Sequence, residues 1–261
     1  MKVFGFVLFS ILCSPFACFA QSPAEKGLDI AIEADRRGSG FGDLTADMEM
    51  VLRNQEGSEN RRRIRIRIME TVADGDKGLT IFDSPGDVRG TALLTYGHKV
   101  GDDDQWLYLP ALKRVKRISA RNKSGAFMGS EFSYEDFGSI EVEKYTYQYL
   151  GEETLAGRNC YIVQRSPVDT ENSGYSRIVS WLDQDDYRIW KEEYYDSKKR
   201  FLKTLSMQEY HLYLGTLWKA HEMRMVNHQK GKETDLLWSN FSFRTGLSDS
   251  NFDQNSLKRA K

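Results

Sequence analysis

The sequence predicts a mainly β protein built around one large antiparallel sheet. Apolar and polar residues alternate with a period of two in many short segments, and polar turns separate these segments at hairpin spacing. Aromatic residues are spread along the whole chain, which suits broad pleated surfaces around a large apolar interior. About ten or eleven antiparallel strands with few helices imply a curved sheet or an incomplete barrel.

The N-terminus has the pattern of a cleavable secretory signal. Lys2 precedes an apolar run at residues 3–12, and Ala-Cys-Phe-Ala at residues 17–20 places small residues at the two positions that a signal peptidase inspects. We therefore predict a signal peptide at residues 1–20, a single domain at residues 21–261 and a location in the periplasm of a Gram-negative cell. No later segment approaches the roughly 20 apolar residues of a spanning helix, so the mature chain is expected to be soluble rather than membrane-spanning.

Cysteine usage agrees with export. Cleavage removes Cys13 and Cys18 and leaves Cys160 as the one thiol of the mature chain, so no intrachain disulfide is expected. Cys160 follows a turn and opens an apolar segment, which favours an inert core residue over a nucleophile. A lipid anchor on Cys18 is the competing interpretation, but Pro15 and Phe16 stand where lipoprotein signals usually have an aliphatic and a small residue.

One amphipathic helix is expected at the start of the mature chain. Ser22 and Glu25 have the spacing of a capping box, and Pro23 occupies the first helical position. The helix should continue to about Arg37, before the Gly-Ser-Gly at residues 38–40. Its apolar face can cover a sheet or the mouth of a barrel and contains Leu28, Ala31 and Ile32.

The strands follow this helix. In residues 44–52, Met48 and Met50 alternate onto one face with other apolar residues, and in residues 63–68 isoleucines alternate with arginines. One face of this second strand must be buried and the other wet. Further strands are expected at residues 79–82, 91–96, 105–109, 143–150, 161–165, 177–182, 189–195, 201–210, 218–227 and 233–243.

Residues 119–139 do not fit the hairpin rhythm. This stretch is long and punctuated by glycines, and a loop of such length inside a compact domain is usually functional. Its large apolar and aromatic residues are Phe127, Met128, Phe132, Tyr134 and Phe137.

Two sequence blocks resemble the outer membrane lipoprotein-sorting protein family, periplasmic proteins related to the lipoprotein carrier LolA. They are Trp-x-Tyr-Leu-Pro-Ala-Leu at residues 106–112 and Phe-Met-Gly-Ser at residues 127–130, and the resemblance extends over essentially the whole mature chain. It implies an unclosed antiparallel β-barrel of about eleven strands, LolA/LolB-like, with N-terminal and lid helices around a hydrophobic cavity for acyl chains. It also implies association with membrane exporters of the resistance-nodulation-division (RND) type.

We expect a ligand to lie in the cavity, under its lid. Methionine adapts its shape to irregular apolar partners, as a carrier of acyl chains requires, although ordinary core packing is the alternative interpretation. The predicted cavity and lid residues are Met48, Met50, Ile64, Ile66, Ile68, Trp106, Tyr108, Phe127, Met128 and Phe132.

Basic residues next to the aromatic loop are candidates for holding anionic lipid headgroups or docking a partner; a solvated strand end is the alternative. They are Lys113, Arg114, Lys116 and Arg117. The arginines of residues 61–67 are interpreted as the wet face of a strand, although one of them could close a lid by hydrogen bonding to carbonyl groups.

No catalytic site, metal site or cofactor is predicted. The four histidines are scattered, no Cys or carboxylate motif completes a zinc site, and neither a nucleophile elbow nor a phosphate-binding loop is present. The acidic run at residues 102–104 is interpreted as a turn rather than a calcium site, and Glu135 and Asp136 have no nucleophile or base beside them in the sequence. A formal net charge of −1 argues against a general nucleic-acid binder.

We therefore predict a non-enzymatic periplasmic carrier that binds the acyl chains of a lipid or lipoprotein and passes them between membrane partners. The alternative is a regulatory or interaction module of the same fold that senses lipoproteins for a signalling partner. Such relatives usually carry a second domain after the barrel, and the residues after position 243 are too few for one, which favours the carrier.

Overall fold

The computed structural model describes residues 21–259. The predicted signal peptide, with Cys13 and Cys18, lies outside the described residues. Within them, thirteen strands form one sheet, flanked by two short helices. The helices are α1 (Pro23–Gly38) and α2 (Gln254–Arg259), and the strands are β1 (Asp43–Arg53), β2 (Glu59–Met69), β3 (Lys77–Ser84), β4 (Ala92–Tyr96), β5 (Asp104–Leu109), β6 (Arg114–Ile118), β7 (Tyr145–Leu155), β8 (Arg158–Pro167), β9 (Tyr175–Asp183), β10 (Ile189–Asp196), β11 (Phe201–Tyr213), β12 (Leu217–Asn227) and β13 (Lys232–Phe243).

The sheet is antiparallel, and its order follows the chain in two runs. Strands β1 to β6 lead from the centre to one edge, and strands β7 to β13 lead from the other edge back to the centre. The two runs meet where β1 pairs with β13, from Leu44 opposite Phe243 to Arg53 opposite Glu233. Strands β6 and β7 do not pair with each other, so the predicted open sheet is confirmed.

The sheet curls around the chain that connects its two runs. The backbone oxygen of Tyr134 accepts a hydrogen bond from Gln105 of β5, and the carboxylate of Asp136, two residues later, accepts one from Tyr175 of β9. Eight other strands separate β5 from β9 in the sheet order, which would put them roughly 40 Å apart in a flat sheet. The two ends of the sheet therefore approach each other, as in an incomplete barrel.

Residues 119–139, the aromatic segment, occupy the inner face of this curled sheet. Phe127 is fully buried and packs against Phe82 of β3 and against Phe137, with ring centroids 5.7 and 4.3 Å apart. The segment contains three-residue and four-residue 3-10 turns rather than the lid helices that the resemblance implied, because glycines and serines interrupt it at short intervals. It therefore forms part of the core.

The outer face carries a separate apolar cluster. Leu79, Ile81 and Leu94 of the sheet pack there against Phe252 and against Leu257 of α2. Trp106 and Tyr108 belong to this outer cluster, because they alternate with Leu107, which packs on the inner face. The structure therefore does not bring these two predicted cavity residues to the interior.

Helix α1 begins as predicted and covers the β7 end of the sheet. Ser22 and Glu25 form the capping box, with Pro23 in the first turn. Gly27 allows a close approach to β7, since a Cβ atom there would lie 2.7 Å from the backbone nitrogen of Tyr149. The helix thus lies against the free β7 edge, whereas β6 forms the other edge.

The number of strands differs from the number that the sequence predicts. Thirteen strands are present among the described residues instead of about ten or eleven. One addition is β6, an exposed edge strand whose basic side chains hide the apolar alternation that predicts strands.

Cys160 is fully buried in the apolar cluster of Val179 and Trp181, as predicted for a core residue, and burial raises the pKa of its thiol. In the part of the chain that the structure describes, no helix has the length and apolarity needed to cross a membrane.

Candidate functional site

The interior contains two neighbouring cavities on the inner face. The first, the helix-side compartment, has a volume of about 270 Å³ and lies between α1 and strands β8 to β12. Its apolar wall includes Ile30, Ala34, Val163, Leu182 and Ile189. This volume is near the lower end of the roughly 300–1,000 Å³ that ligand pockets usually have.

The second cavity, the inner compartment, has a volume of about 300 Å³ and lies between the aromatic segment and the sheet. Apolar residues from both runs of strands line it. They are Ile66, Ile68, Phe132, Phe137, Ile178, Leu205, Met223, Leu236 and Trp238.

The two compartments share part of their walls. Ile140, Arg165 and Met207 line both, so the cavities meet at these three side chains. A flexible methionine and a buried arginine thus stand where a ligand would pass from one compartment to the other.

A buried polar network forms one side of this boundary. The Arg165 guanidinium donates through Nη1 to Glu192 and to the hydroxyl of Ser180. Glu192 also accepts from Ser180 and from Tyr194, at 2.7 and 2.6 Å. Burial raises the pKa of Glu192, but Arg165 outweighs it, so the pKa of this carboxyl is lowered and the pair is ionised.

A second buried ion pair fixes the aromatic segment. Lys203 of β11 donates to the carboxylate of Asp136 and to the backbone oxygen of Glu131, each at 2.9 Å. Tyr175 also donates to Asp136, and burial raises the pKa of this phenol well above its ordinary value. Because buried polar groups cost free energy unless they are paired, these contacts hold the segment in one position.

The environment of the Glu135 carboxyl disfavours its ionisation. It accepts hydrogen bonds from the Ser173 hydroxyl and the Gly174 amide, at 2.8 and 3.0 Å. Burial, and after it the charge of Asp136, raises the pKa of Glu135 to about 7. The carboxyl thus links the aromatic segment to the β8–β9 turn and changes charge near neutral pH.

An arginine of β2 holds the aromatic segment from the opposite side. Nη1 of Arg62 donates to the backbone oxygen of Met128 at 2.6 Å. Met128 has a left-handed φ of 51°, a conformation that costs free energy for a residue other than glycine and needs such support. Arg62 has the contact that the sequence suggested for one arginine of residues 61–67.

Only some of the predicted ligand residues line the two compartments. Ile66, Ile68 and Phe132 line the inner compartment. Five others lie in or against the same core cluster without lining a compartment: Met48, Met50, Ile64, Phe127 and Met128. Trp106 and Tyr108 are on the outer face, as described above.

The predicted docking residues lie at the free β6 edge and outside both compartments. Lys113 occupies the turn before β6 with a φ of 49°. Arg114 and Lys116 pair with Leu109 and Leu107 and point to the inner side, whereas Arg117 pairs with Trp106, points outward and contacts Asp104. The four cations therefore surround an edge rather than share one face.

The histidines and acidic residues that the sequence analysis considered as site candidates make contacts with other side chains. His211 and His221 stack with ring centroids 4.2 Å apart, and His98 contacts Asp74. Asp102 binds Lys123 at 3.0 Å. Among residues 21–259, no group of three or more His, Cys, Asp or Glu side chains is arranged to hold a metal ion.

Sequence reasoning missed Arg165, Met207 and Tyr194, and it did not single out Arg62 among the arginines of residues 61–67. For two of these residues the sequence does contain a signal. Arg62 lies two residues before the buried Ile64, and Arg165 lies two residues after the buried Val163, so each arginine projects from the same face of its strand as that apolar residue. Which apolar strand face borders a cavity depends on the curl of the sheet, which alternation does not encode.

Comparisons with known proteins extend over nearly the whole chain. A family model described as an uncharacterized protein matches residues 74–259. A crystal structure from Vibrio parahaemolyticus, described as an outer membrane lipoprotein-sorting protein domain, is 53% identical with a TM-score of 0.88, covering 90% of this chain and 100% of that one. No curated protein matches this chain.

Two further solved structures share the architecture. A DUF1329 family protein from Desulfovibrio piger is 33% identical with a TM-score of 0.86, covering 91% of this chain and 100% of that one. A LolA superfamily protein from Nitrosomonas europaea is 19% identical with a TM-score of 0.72, covering 88% of this chain and 98% of that one, and shows that the fold is LolA-like.

Proposed function

Because this chain belongs to the outer membrane lipoprotein-sorting protein family, we propose that it is a periplasmic carrier for the acyl chains of a lipid or lipoprotein. In this proposal residues 1–20 direct export and are removed. The cargo occupies the interior of the curled sheet and is passed between membrane-associated partners, one of which is an exporter of the RND type. No cofactor and no catalytic step are involved.

The observation that carries the proposal is the pair of adjoining compartments on the inner face. Their walls are largely apolar, and they meet at Ile140, Arg165 and Met207, so an extended chain can occupy both. Ile66, Ile68 and Phe132 form the predicted part of this wall, and Met48, Met50 and Ile64 support it from the core.

Transfer follows from the free energy of acyl burial. Each methylene moved from water into an apolar site gains about 0.8 kcal/mol, but a chain in a membrane is already buried. A carrier of this kind therefore extracts cargo only when a donor partner or a tighter acceptor biases the exchange. Such exchange needs docking, and we assign it to the β6 edge, where Lys113, Arg114 and Lys116 are basic and Leu112 is 63% exposed.

Two elements govern access in this proposal. Helix α1 covers the helix-side compartment, and its inward residues Ile30, Ala31 and Ala34 line it. The aromatic segment closes the inner compartment and is anchored by Arg62 and Lys203. The segment has a buried ion pair, Lys203–Asp136, whereas the side chains that pair α1 with the rest of the chain, Lys26 with Glu152 and Arg37 with Asp186, are partly exposed; we therefore assign the moving lid to α1.

The test combines native extraction with a blocked cavity. Mature protein is purified from a periplasmic fraction without detergent, and organic extracts are analysed by mass spectrometry. Binding of an apolar fluorescent probe, N-phenyl-1-naphthylamine, is then measured for the wild type, for Met207→Trp and for Gln208→Trp. Met207 lines both compartments, whereas Gln208 is exposed on the other face of the same strand.

We expect about one lipid per protein in the extract and a loss of probe binding in Met207→Trp alone. A lipid-free wild type that also ignores the probe would overturn the carrier proposal and favour the interaction module. Equal binding by both tryptophan variants would place the probe outside the compartments.

A further inference from the structure

Arg165 is the charged side chain at the boundary of the two compartments. It projects from β8 onto the inner face, and its side chain is only 9% exposed. The walls are largely apolar on both sides, although Glu135, Asp136 and Glu192 also line the inner compartment.

One corner of this guanidinium makes its hydrogen bonds, and Cζ lies 5.6 Å from the centroid of the Tyr145 ring. Nη1 serves both Ser180 and Glu192. Nε is buried and has no hydrogen-bond partner among residues 21–259, and Nη2 donates no hydrogen bond to another of these residues. Nε and Nη2 form the side-on fork with which arginine binds two oxygens of a planar group.

Glu192 makes this fork rigid and offsets its charge. The carboxylate is 2% exposed and is held by Ser180 and Tyr194 as well as by Arg165. Because Nη1 is fixed, the orientation of the remaining edge is set before a ligand arrives, which lowers the entropy lost on binding. The neutral pair also lets a ligand oxygen approach without meeting an uncompensated charge.

A second donor without a partner lies in the inner compartment. Nε1 of Trp238 is buried and has no acceptor among the described residues. An indole N–H can only donate, as can a guanidinium, so both groups select a ligand that brings acceptor oxygens. A purely hydrocarbon ligand would leave both donors unsatisfied, at a cost of about 1–3 kcal/mol each.

We propose that Arg165 binds the carboxyl oxygens of an acyl ligand, as a free acid or as an ester, at the point where the two compartments meet. The inference rests on the proposed carrier function and names the ligand group that the site recognises. Apolar chain then extends from Arg165 into one compartment for an acid, or into both for an ester with apolar groups on each side.

The experiment compares three probes that differ at this group: cis-parinaric acid, its methyl ester and N-phenyl-1-naphthylamine. Each is titrated into wild type, Arg165→Lys, and the double variant Arg165→Gln with Glu192→Gln, which removes the arginine without leaving a buried carboxylate. Trp238→Phe removes the indole donor without touching the ion pair. Thermal unfolding is recorded for all proteins.

We expect the affinity for parinaric acid to fall about tenfold to a hundredfold in both Arg165 variants and about fivefold in Trp238→Phe. The naphthylamine probe should lose less affinity than parinaric acid in every variant, because it brings no carboxyl group. An equal fall for the methyl ester identifies an ester-binding site, and a fall for the acid alone identifies a fatty-acid site.

Two outcomes are distinct failures. If every probe binds wild type and variants alike, the assignment of Arg165 is overturned while the carrier proposal stands. If no probe binds the wild type, the carrier proposal itself fails. Should the Arg165 variants unfold, unchanged binding of parinaric acid by a folded Trp238→Phe would contradict the donor pair.

Discussion

Phe127 is a core residue although it lies outside every strand. Its ring is fully buried and contacts Phe82, Tyr134 and Phe137. The sequence predicts Phe127 to lie on a long loop, among the residues of the cavity and its lid. Its burial corrects this expectation, because the loop folds into the interior rather than over it.

We predict that Phe127→Ala lowers the free energy of unfolding by about 3–5 kcal/mol, since it leaves a cavity in a packed aromatic cluster. Met128→Ala is the control, because Met128 is only partly buried and should cost clearly less. Urea denaturation monitored by circular dichroism gives both values. Equal losses in the two variants would contradict the role of Phe127.

Arg62 shows how a single residue can hold a segment. We predict that Arg62→Gln removes about 1.5–3 kcal/mol of stability, the usual contribution of a hydrogen bond to a charged group. Amide hydrogen exchange in residues 119–139 should become faster. Arg63→Gln, on the exposed face of the same strand, should stay within about 0.5 kcal/mol of wild type. Unchanged exchange in Arg62→Gln would show that the bond to Met128 is dispensable.

The close packing of α1 against β7 depends on a glycine. A Cβ atom at Gly27 would meet the β7 backbone at Tyr149 and Gln148 within 3 Å, whereas one at Gly38 would meet nothing within 4 Å. We predict that Gly27→Ala separates α1 from β7, lowers the melting temperature and speeds exchange of probe from the helix-side compartment. Gly38→Ala should leave both properties near wild type.

Stopped-flow release of N-phenyl-1-naphthylamine measures the exchange rate in these variants. If Gly27→Ala releases the probe as slowly as Gly38→Ala does, α1 is not the lid.

Among the elements, the alternation of apolar and polar residues predicted where the strands lie, but it did not predict what packs against them. The capping box located α1, and the isoleucine–arginine pattern located β2 and its buried face. The same pattern does not indicate which other part of the chain packs against each face of a strand. Trp106 and Tyr108 are covered by Phe252 and Leu257, and this contact depends on a helix more than a hundred residues away in the chain.

At the scale of the whole molecule, buried carboxyl groups set the dependence of stability on pH. Burial raises the pKa of Glu135 to about 7 and that of Asp76 to about 6, above their ordinary values of 4.5 and 3.8. A raised pKa in the folded state contributes stability that is complete at low pH and is lost as pH rises through the folded value. Both groups therefore destabilise the fold between pH 4 and pH 7 as they ionise.

We predict that the wild type is less stable at pH 8 than at pH 5 and that Glu135→Gln reduces this difference, by at most about 3 kcal/mol. Denaturant unfolding at the two pH values gives the comparison. Glu153→Gln, on the exposed part of β7, is the control and should retain the wild-type dependence. The same difference in Glu135→Gln and wild type would assign the effect to other groups.

The pairing of β1 with β13 has a consequence for the order in which the molecule folds. Every other ladder joins strands that are consecutive in the chain, so each run can form by closing short loops, whereas this ladder joins residues near the two ends of the described chain. The two runs are then semi-independent folding units that one ladder and the aromatic segment unite. Ser239→Pro, at a position that pairs with Asp47 of β1 and lies beyond the β12 ladder, should split the unfolding transition into two, while Thr154→Pro at the β7 edge should keep one. Before that ladder closes, each unit exposes the apolar residues that later line the inner compartment, so this compartment, which takes its walls from both runs, is complete only after the two units have joined.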